Sequence, residues 1–252
     1  MFLRHLLTRA SLVSLTVPHH QLNNSTAALV LGSNRGTSIA RQMSTENSAM
    51  NNSTSMTSIT TKRICFLRHG QALHNPRAEE AKDNGCSHST FLNLMQEDDA
   101  FDARLTTLGE SQASKAGEMN AEKLASIELV VSSPLSRAIK TADLAAPVCS
   151  ESETFTNRIC VEHFREINGW LLNAKRRNRL DLEQSFHGSW DFSLLSDDDE
   201  TWTETLETEE SCAERGYLGL LWLRDRPEDK ILTVAHGVSQ FCVCVHSAVA
   251  VM

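Results

Sequence analysis

Three times along this chain a short apolar run stops on residues able to hold an anion, and that repetition limits the folds open to it. Ile64-Cys65-Phe66-Leu67 stops at Arg68-His69-Gly70, Ile127–Val131 stops at Ser132-Ser133-Pro134 ahead of Arg137, and Ile231–Val234 stops at Ala235-His236-Gly237. Short apolar runs closed by turn residues predict buried strands. With Arg158–Val161, this gives four expected strands: Arg63–Leu67, Ile127–Val131, Arg158–Val161 and Ile231–Ala235. Helical patterns lie between them. Thr106 caps one that runs to about Ala125, Pro134 suits the first turn of a second, and Glu209–Arg226 and Gly237–Val249 supply two more. Strands alternating with helices predict an α/β domain around a mostly parallel sheet. If the strands are parallel neighbours, their ends meet at the edge where such sheets bind ligands.

Two arginines and two histidines would then face one another near helix N-termini, an arrangement that favours an anion. Arginine presents a donor fork matched to phosphate, and histidine is readily set up as a nucleophile or acid/base near neutral pH. The stretches 74–101 and 170–206 read as long, polar, irregular connections of the kind that often cover a site. Within the second, Asp197–Glu200 reads as a solvated acidic loop, with a cation site as the alternative, and Lys175-Arg176-Arg177 as a solvated basic face, with contact to an anionic substrate as the alternative.

Charge separates the leader from the body. Residues 1–45 hold four arginines and no carboxylate, so of 24 basic and 32 acidic residues the remainder keeps 20 and 32, a net of −12. An acidic body disfavours a nucleic-acid groove or an anionic membrane surface as a partner. The acid-free, Arg- and Ser-rich leader fits a mitochondrial transit peptide; a disordered tail and a secretory signal are the competing readings, the latter disfavoured by the Ser and Thr that interrupt Leu12–Val17. Residues 46–61 follow as a linker, and 62–252 as the folded domain. Starts at Met43, Met50 or Met56 would give a cytoplasmic form. No run is long enough to span a bilayer. Seven irregularly spaced cysteines describe neither a disulfide framework nor a zinc site.

Arg68-His69-Gly70 with His74-Asn75, Leu105-Thr106-x-x-Gly109-x-x-Gln112-Ala113, Ser132-Ser133-Pro134-Leu135-x-Arg137-Ala138-x-x-Thr141-Ala142 and Ala235-His236-Gly237 occur here in one order. In that order they resemble the histidine phosphatase superfamily, in its phosphoglycerate mutase-like branch, over roughly residues 62–250. The resemblance implies a three-layer α/β/α sandwich in a single domain with a helical or loop insertion. It implies His69 as a nucleophile that becomes phosphohistidine, with Arg68, Arg137, Asn75 and Gly237 holding the phosphoryl group and His236 donating to it. It requires no metal or organic cofactor.

A leaving alkoxide also needs a proton. The resemblance implies a glutamate in a Glu-x-x-x-Gly segment after the third strand. Glu166 is the candidate and Glu162 the alternative; Glu166 stands one residue closer to Gly169 than is usual. Asn168–Arg177 lacks the Gly-Gly-Leu-rich, Tyr-containing stretch by which the mutases of this family grip phosphoglycerate. The expected activity is therefore a phosphatase acting on a small phosphorylated substrate, with a phosphomutase as the alternative. A non-catalytic binding or scaffold protein is a third reading. Its support is a chain that stops sixteen residues after His236, where family members continue into a further strand, so that a sheet edge would be left unpaired; a truncated gene model explains the same end equally well. Neither substrate nor oligomeric state is readable from the sequence.

Overall fold

The computed structural model describes residues 12–18, 61–96, 101–147, 157–186 and 188–237. In chain order these form β1 (Leu12–Pro18), β2 (Thr61–Arg68), α1 (Asn75–Asp83), α2 (His88–Gln96), α3 (Thr107–Met119), α4 (Ala121–Leu124) and β3 (Leu129–Ser132). Then follow α5 (Ser136–Ala145), β4 (Asn157–Cys160), α6 (Arg179–Ser185), α7 (Glu209–Arg224) and β5 (Lys230–Ala235). The sheet order is β1-β2-β5-β3-β4. The four strands β2, β5, β3 and β4 are mutually parallel, and β1 runs antiparallel along the outer edge of β2.

Alternation along the strands splits the core into two layers. Ile64 and Phe66 of β2 point to one face, where Leu129, Val131, Ile231 and Phe164 pack with Leu223 of α7. Cys65 and Leu67 point to the other, joining Val130, Leu232 and Val234 against Ala116 of α3 and Ala138, Ala142 and Ala145 of α5. Small residues on α5 let two helices lie close to the sheet on that side. This is the expected α/β/α sandwich around a mostly parallel sheet.

Several expectations shift. The strand expected from Ile127, β3, begins at Leu129, because the Ile127 amide is taken by the Leu124 carbonyl (3.1 Å) at the end of α4. The helix after Pro134 starts at Ser136 with Leu135 as N-cap, so Pro134 stands just outside it. The helix capped by Thr106 ends at Met119 and is followed by a separate turn at α4. The stretch 74–101, expected to be irregular, contains α1 and α2. Leu12–Pro18, assigned to the leader, supplies a strand, its residues paired from Leu12↔Leu67 to Pro18↔Thr61. The remainder of the leader, the linker before Thr61, and the helix expected over Gly237–Val249 beyond Gly237 lie outside the described residues. Among the described residues no helix is long and apolar enough to cross a membrane.

Candidate active site

The register brings Arg68 opposite Ala235 and Ser132 opposite Val234, so the carboxyl ends of β2, β5 and β3 are immediate neighbours. The His69 amide donates to the Ala235 carbonyl (3.1 Å) and the Ser133 amide to the Val234 carbonyl (2.9 Å), extending the ladder beyond the strand ends. His69 and His236 consequently stand edge to face, ring centroids 4.8 Å apart. His69 is 3% exposed and His236 fully buried.

The turn after His69 is held by motif residues with no chemical role of their own. Gly70 and Gly109 pass so close that a Cβ on Gly70 would lie 2.8 Å from the Gly109 carbonyl carbon, and a Cβ on Gly109 would lie 2.9 Å from the backbone of Gln71. Only glycines permit this approach. The Gly70 amide donates to the Thr141 hydroxyl (3.1 Å), and the Gln71 amide to the Gln112 side-chain carbonyl (2.9 Å). The Thr106 hydroxyl accepts the Gly109 amide as an N-cap (3.0 Å) and reaches Gln71 (2.9 Å).

With the turn fixed, the Gly70 carbonyl stands 2.6 Å from His69 Nδ1. A carbonyl can only accept, so Nδ1 carries the proton and Nε2 keeps its lone pair. Arg137 Nε points at that Nε2 from 3.3 Å, and Arg137 also donates to the Asn173 carbonyl (2.6 Å). Burial, then Arg137, then Arg68, hold the His69 pKa well below the ordinary histidine value, so the ring is neutral. His236 is held down by burial and by Arg137, His69 and Arg68, and its Nε2 lies 2.8 Å from the Ser133 hydroxyl. Burial brings Arg137 down to about 10, with Asp102 and Glu166 opposing that effect and Arg68 adding to it. The pocket is thus an excess of buried cation beside neutral imidazoles, which suits a dianion.

The remaining expected residues fall as follows. Arg68 closes on Gly237, where a Cβ would sit 3.3 Å from Arg68 Nε, and Arg68 Nε is buried with no partner among the described residues. Asn75 is buried at the start of α1, with its Oδ1 accepting the Ala72 amide (2.8 Å). Glu166 bears on Arg137 electrostatically, and its Oε1 accepts the Ile167 amide (3.0 Å). Glu162 is engaged elsewhere, by Arg176 Nε (2.6 Å) and Arg165 (3.2 Å).

That last contact corrects two readings of surface charge. Arg176, expected on a solvated face, is 1% exposed and gives its remaining donors to the carbonyls of Ser196 and Asp198. Arg177 pairs with Asp102 (3.3 Å) over the Phe101 ring. Asp199, expected in a solvated acidic loop, binds the buried Arg165 (2.7 Å), and Arg165 and its other donors bring its pKa down to about 2 against the cost of burial. The charges are buried because each is matched, as unpaired ones could not be.

Two residues missed in the sequence shape the site. Asp102, fully buried at φ 47°, accepts the Ser136 amide (2.9 Å) and hydroxyl, and so holds the start of the helix that carries Arg137. Arg215 of α7 donates to the Arg165 and Glu166 carbonyls (3.1 Å each) and pairs with Glu207 (2.7 Å), fixing the segment that bears Glu166. A capping signal for Asp102 could not be seen because its helix begins 34 residues later.

A family model of the histidine phosphatase superfamily (branch 1) matches residues 64–248. The chain belongs to this superfamily. It is 32% identical over 203 residues to phosphoglycerate mutase-like protein 1 of Arabidopsis thaliana, covering 70% of this chain and 68% of that protein. A second Arabidopsis thaliana phosphoglycerate mutase-like protein is 29% identical over 203 residues, covering 70% and 71%. Among solved structures, a phosphoserine phosphatase from Entamoeba histolytica is 18% identical and covers 75% of this chain and 82% of its own, with a TM-score of 0.42. That likeness is too slight to carry an argument. The superfamily includes both phosphatases and phosphomutases.

Proposed function

We propose that the protein is a phosphomonoester phosphatase working through a phosphohistidine at His69. The observation that carries this reading is the Gly70 carbonyl on His69 Nδ1, which leaves the Nε2 lone pair facing a pocket of arginine. Nε2 attacks phosphorus and the P–O ester bond breaks. Glu166 gives its proton to the leaving oxygen. Water then attacks the phosphohistidine and loses a proton to the Glu166 carboxylate; inorganic phosphate departs and Nε2 regains its lone pair. Arg68 and Arg137 hold the phosphoryl oxygens, and His236 donates to them as charge develops. Positioning and charge stabilisation are the main contributions a protein makes to this chemistry.

Glu166 is preferred to Glu162 as the acid because Glu162 is held by two buried arginines, whereas Glu166 bears on Arg137. Asn75 and Gly237 are assigned supporting places in the phosphate pocket. The test is steady phosphate release from p-nitrophenyl phosphate, together with an acid-labile phosphoryl group trapped on the protein. Both should vanish in His69→Ala. If the wild-type protein forms the phosphohistidine but passes the group to phosphoglycerate faster than to water, the mutase reading replaces this one. If it forms none, the non-catalytic reading does.

A further inference from the structure

A third histidine belongs to the same cluster and has no part in the reaction as proposed. His74 is 5% exposed. It occupies the N-cap of α1 without making a side-chain bond to the helix, and its Nδ1 is buried with no partner among the described residues. Native structures leave few buried polar atoms unsatisfied without a functional reason. Its backbone is not free to turn away, because the Asn75 amide donates to the Ala72 carbonyl (2.9 Å) while Asn75 Oδ1 takes the Ala72 amide. The charges that bear on His74 are Arg137 and Arg68, the same guanidiniums that bear on His69 and His236. With burial they keep its ring neutral.

We infer that His74 is a further phosphate-binding residue, donating a hydrogen bond from Nδ1 to an oxygen of the phosphoryl group held at His69. This rests on the phosphohistidine reading, which places that group at His69 Nε2. The phosphoryl group presents several strong acceptor oxygens, and Nδ1 of His74 shares with Arg68 Nε the condition of a buried nitrogen without a partner among the described residues; in the tautomer protonated at Nδ1 it can donate to one of them. A neutral donor has a further use here. It adds a bond without adding a third fixed cation, so product phosphate is not held more tightly by charge.

A contact made equally to bound phosphate and to the transition state changes KM and leaves kcat. In the full chain, His74→Leu should weaken binding of inorganic phosphate and raise KM for p-nitrophenyl phosphate, each on the order of tenfold, with kcat close to wild type. His74→Asn places an amide N–H near the position of Nδ1 and should recover most of the loss. Wild-type KM and phosphate affinity in His74→Leu would overturn the inference. So would equal losses in both variants, which would mark a packing role. If His74→Leu does not fold, the wild-type ring nitrogens can be followed by NMR: the His74 Nδ1 signal should move on saturation with phosphate, and a fixed signal would overturn the inference. A wild-type protein that forms no phosphohistidine sinks the underlying reading. One that forms it while His74→Leu binds phosphate normally sinks only this inference.

Discussion

Replacing Gly109 by alanine tests whether the close backbone approach behind His69 matters to the proposed chemistry. Gly109 lies in the first turns of α3, where alanine is ordinarily better than glycine by about 1 kcal/mol. Here the added Cβ would lie 2.9 Å from both the carbonyl carbon and the amide nitrogen of Gln71. The Gln71 carbonyl oxygen is closer still, so helix and turn must separate by about 1 Å or more to restore ordinary contact distances. The overpacking cost of about 1–3 kcal/mol matches or exceeds the propensity gain. Net destabilisation is therefore about 0–2 kcal/mol, and each kcal/mol lowers Tm by roughly 2–4 °C in a chain of this size. Moving Gln71 also moves Gly70, whose carbonyl sets the His69 ring at 2.6 Å. Displacements near 1 Å cost on the order of a hundredfold in rate, so Gly109→Ala should lose about ten- to a hundredfold in kcat.

Gly117, two turns along the same helix, is the control. Its Cβ would lie 2.9 Å from the Ala145 Cα, at the far end of α5 from Arg137. Gly117→Ala should lower Tm by a comparable amount and leave kcat within about twofold, since well-separated sites act independently. The assay is thermal unfolding paired with p-nitrophenyl phosphate kinetics. A Gly109→Ala protein with raised Tm and unchanged kcat would refute the reasoning, and equal loss of kcat at both positions would show that general loosening is the cause.

Glu166→Gln should abolish turnover of substrates with poor leaving groups while leaving Tm near wild type; Glu162→Gln should do the reverse, because removing one partner of a buried ion pair costs about 3–5 kcal/mol, less here since Glu162 is 21% exposed. Loss of activity in Glu162→Gln at full stability would exchange the two assignments. Burial raises the Asp102 pKa from 3.8 to about 6, against the pull of its Ser136 bonds and of Arg137 and Arg177. The folded state therefore binds more protons than the unfolded state between those values, and this group's contribution falls as pH rises from about 4 to about 6. Asp199, brought down to about 2, acts in the lower window, its contribution present above 3.8 and lost as pH falls towards 2. Urea unfolding at several pH values should show the first decline in wild type and not in Asp102→Asn, and identical profiles would contradict it. A protein starting at Met43 lacks β1 and leaves β2 with an unpaired edge. It should melt at a lower temperature and self-associate in light scattering; a monomer with full-length Tm would refute the role given to β1.

The four parallel strands could be read in the sequence because each is an apolar run ending on a turn, and the convergence of their ends follows from parallel pairing alone. The strand Leu12–Pro18 could not: Ser14 and Thr16 interrupt it, and the absence of acid around it marks a leader before it marks a strand. Nor could α2, whose apolar residues Phe91, Leu92, Leu94 and Met95 are only half-buried within a polar stretch. In the site, Arg68, His69, Arg137 and His236 were legible as residues ending strands or opening helices. Arg176 and Asp199 looked solvated, and Arg165 drew no reading, because a charged residue declares its partner only in three dimensions. Arg165 meets Asp199 across 34 positions, and Arg215 reaches the Arg165 carbonyl across 50.

Those hidden pairs explain how the pocket can keep its excess of positive charge. Arg137 and Arg68 bear on three neutral histidines, and their field is useful to phosphate only if no nearby carboxylate cancels it. Asp102 opposes the lowering of the Arg137 pKa, yet both its oxygens are occupied by Ser136 and one also by Arg177. Glu162, Asp199 and Glu207 are likewise taken up by Arg165, Arg176 and Arg215. Glu166 is the carboxylate that bears on Arg137 from the segment those pairs make rigid. Arg165→Met should therefore do more than cost stability. With its arginine gone, Asp199 would lose the partner that holds its charge in place, and phosphate affinity should fall together with Tm. A drop in Tm with phosphate affinity unchanged would show that the network supports the fold alone.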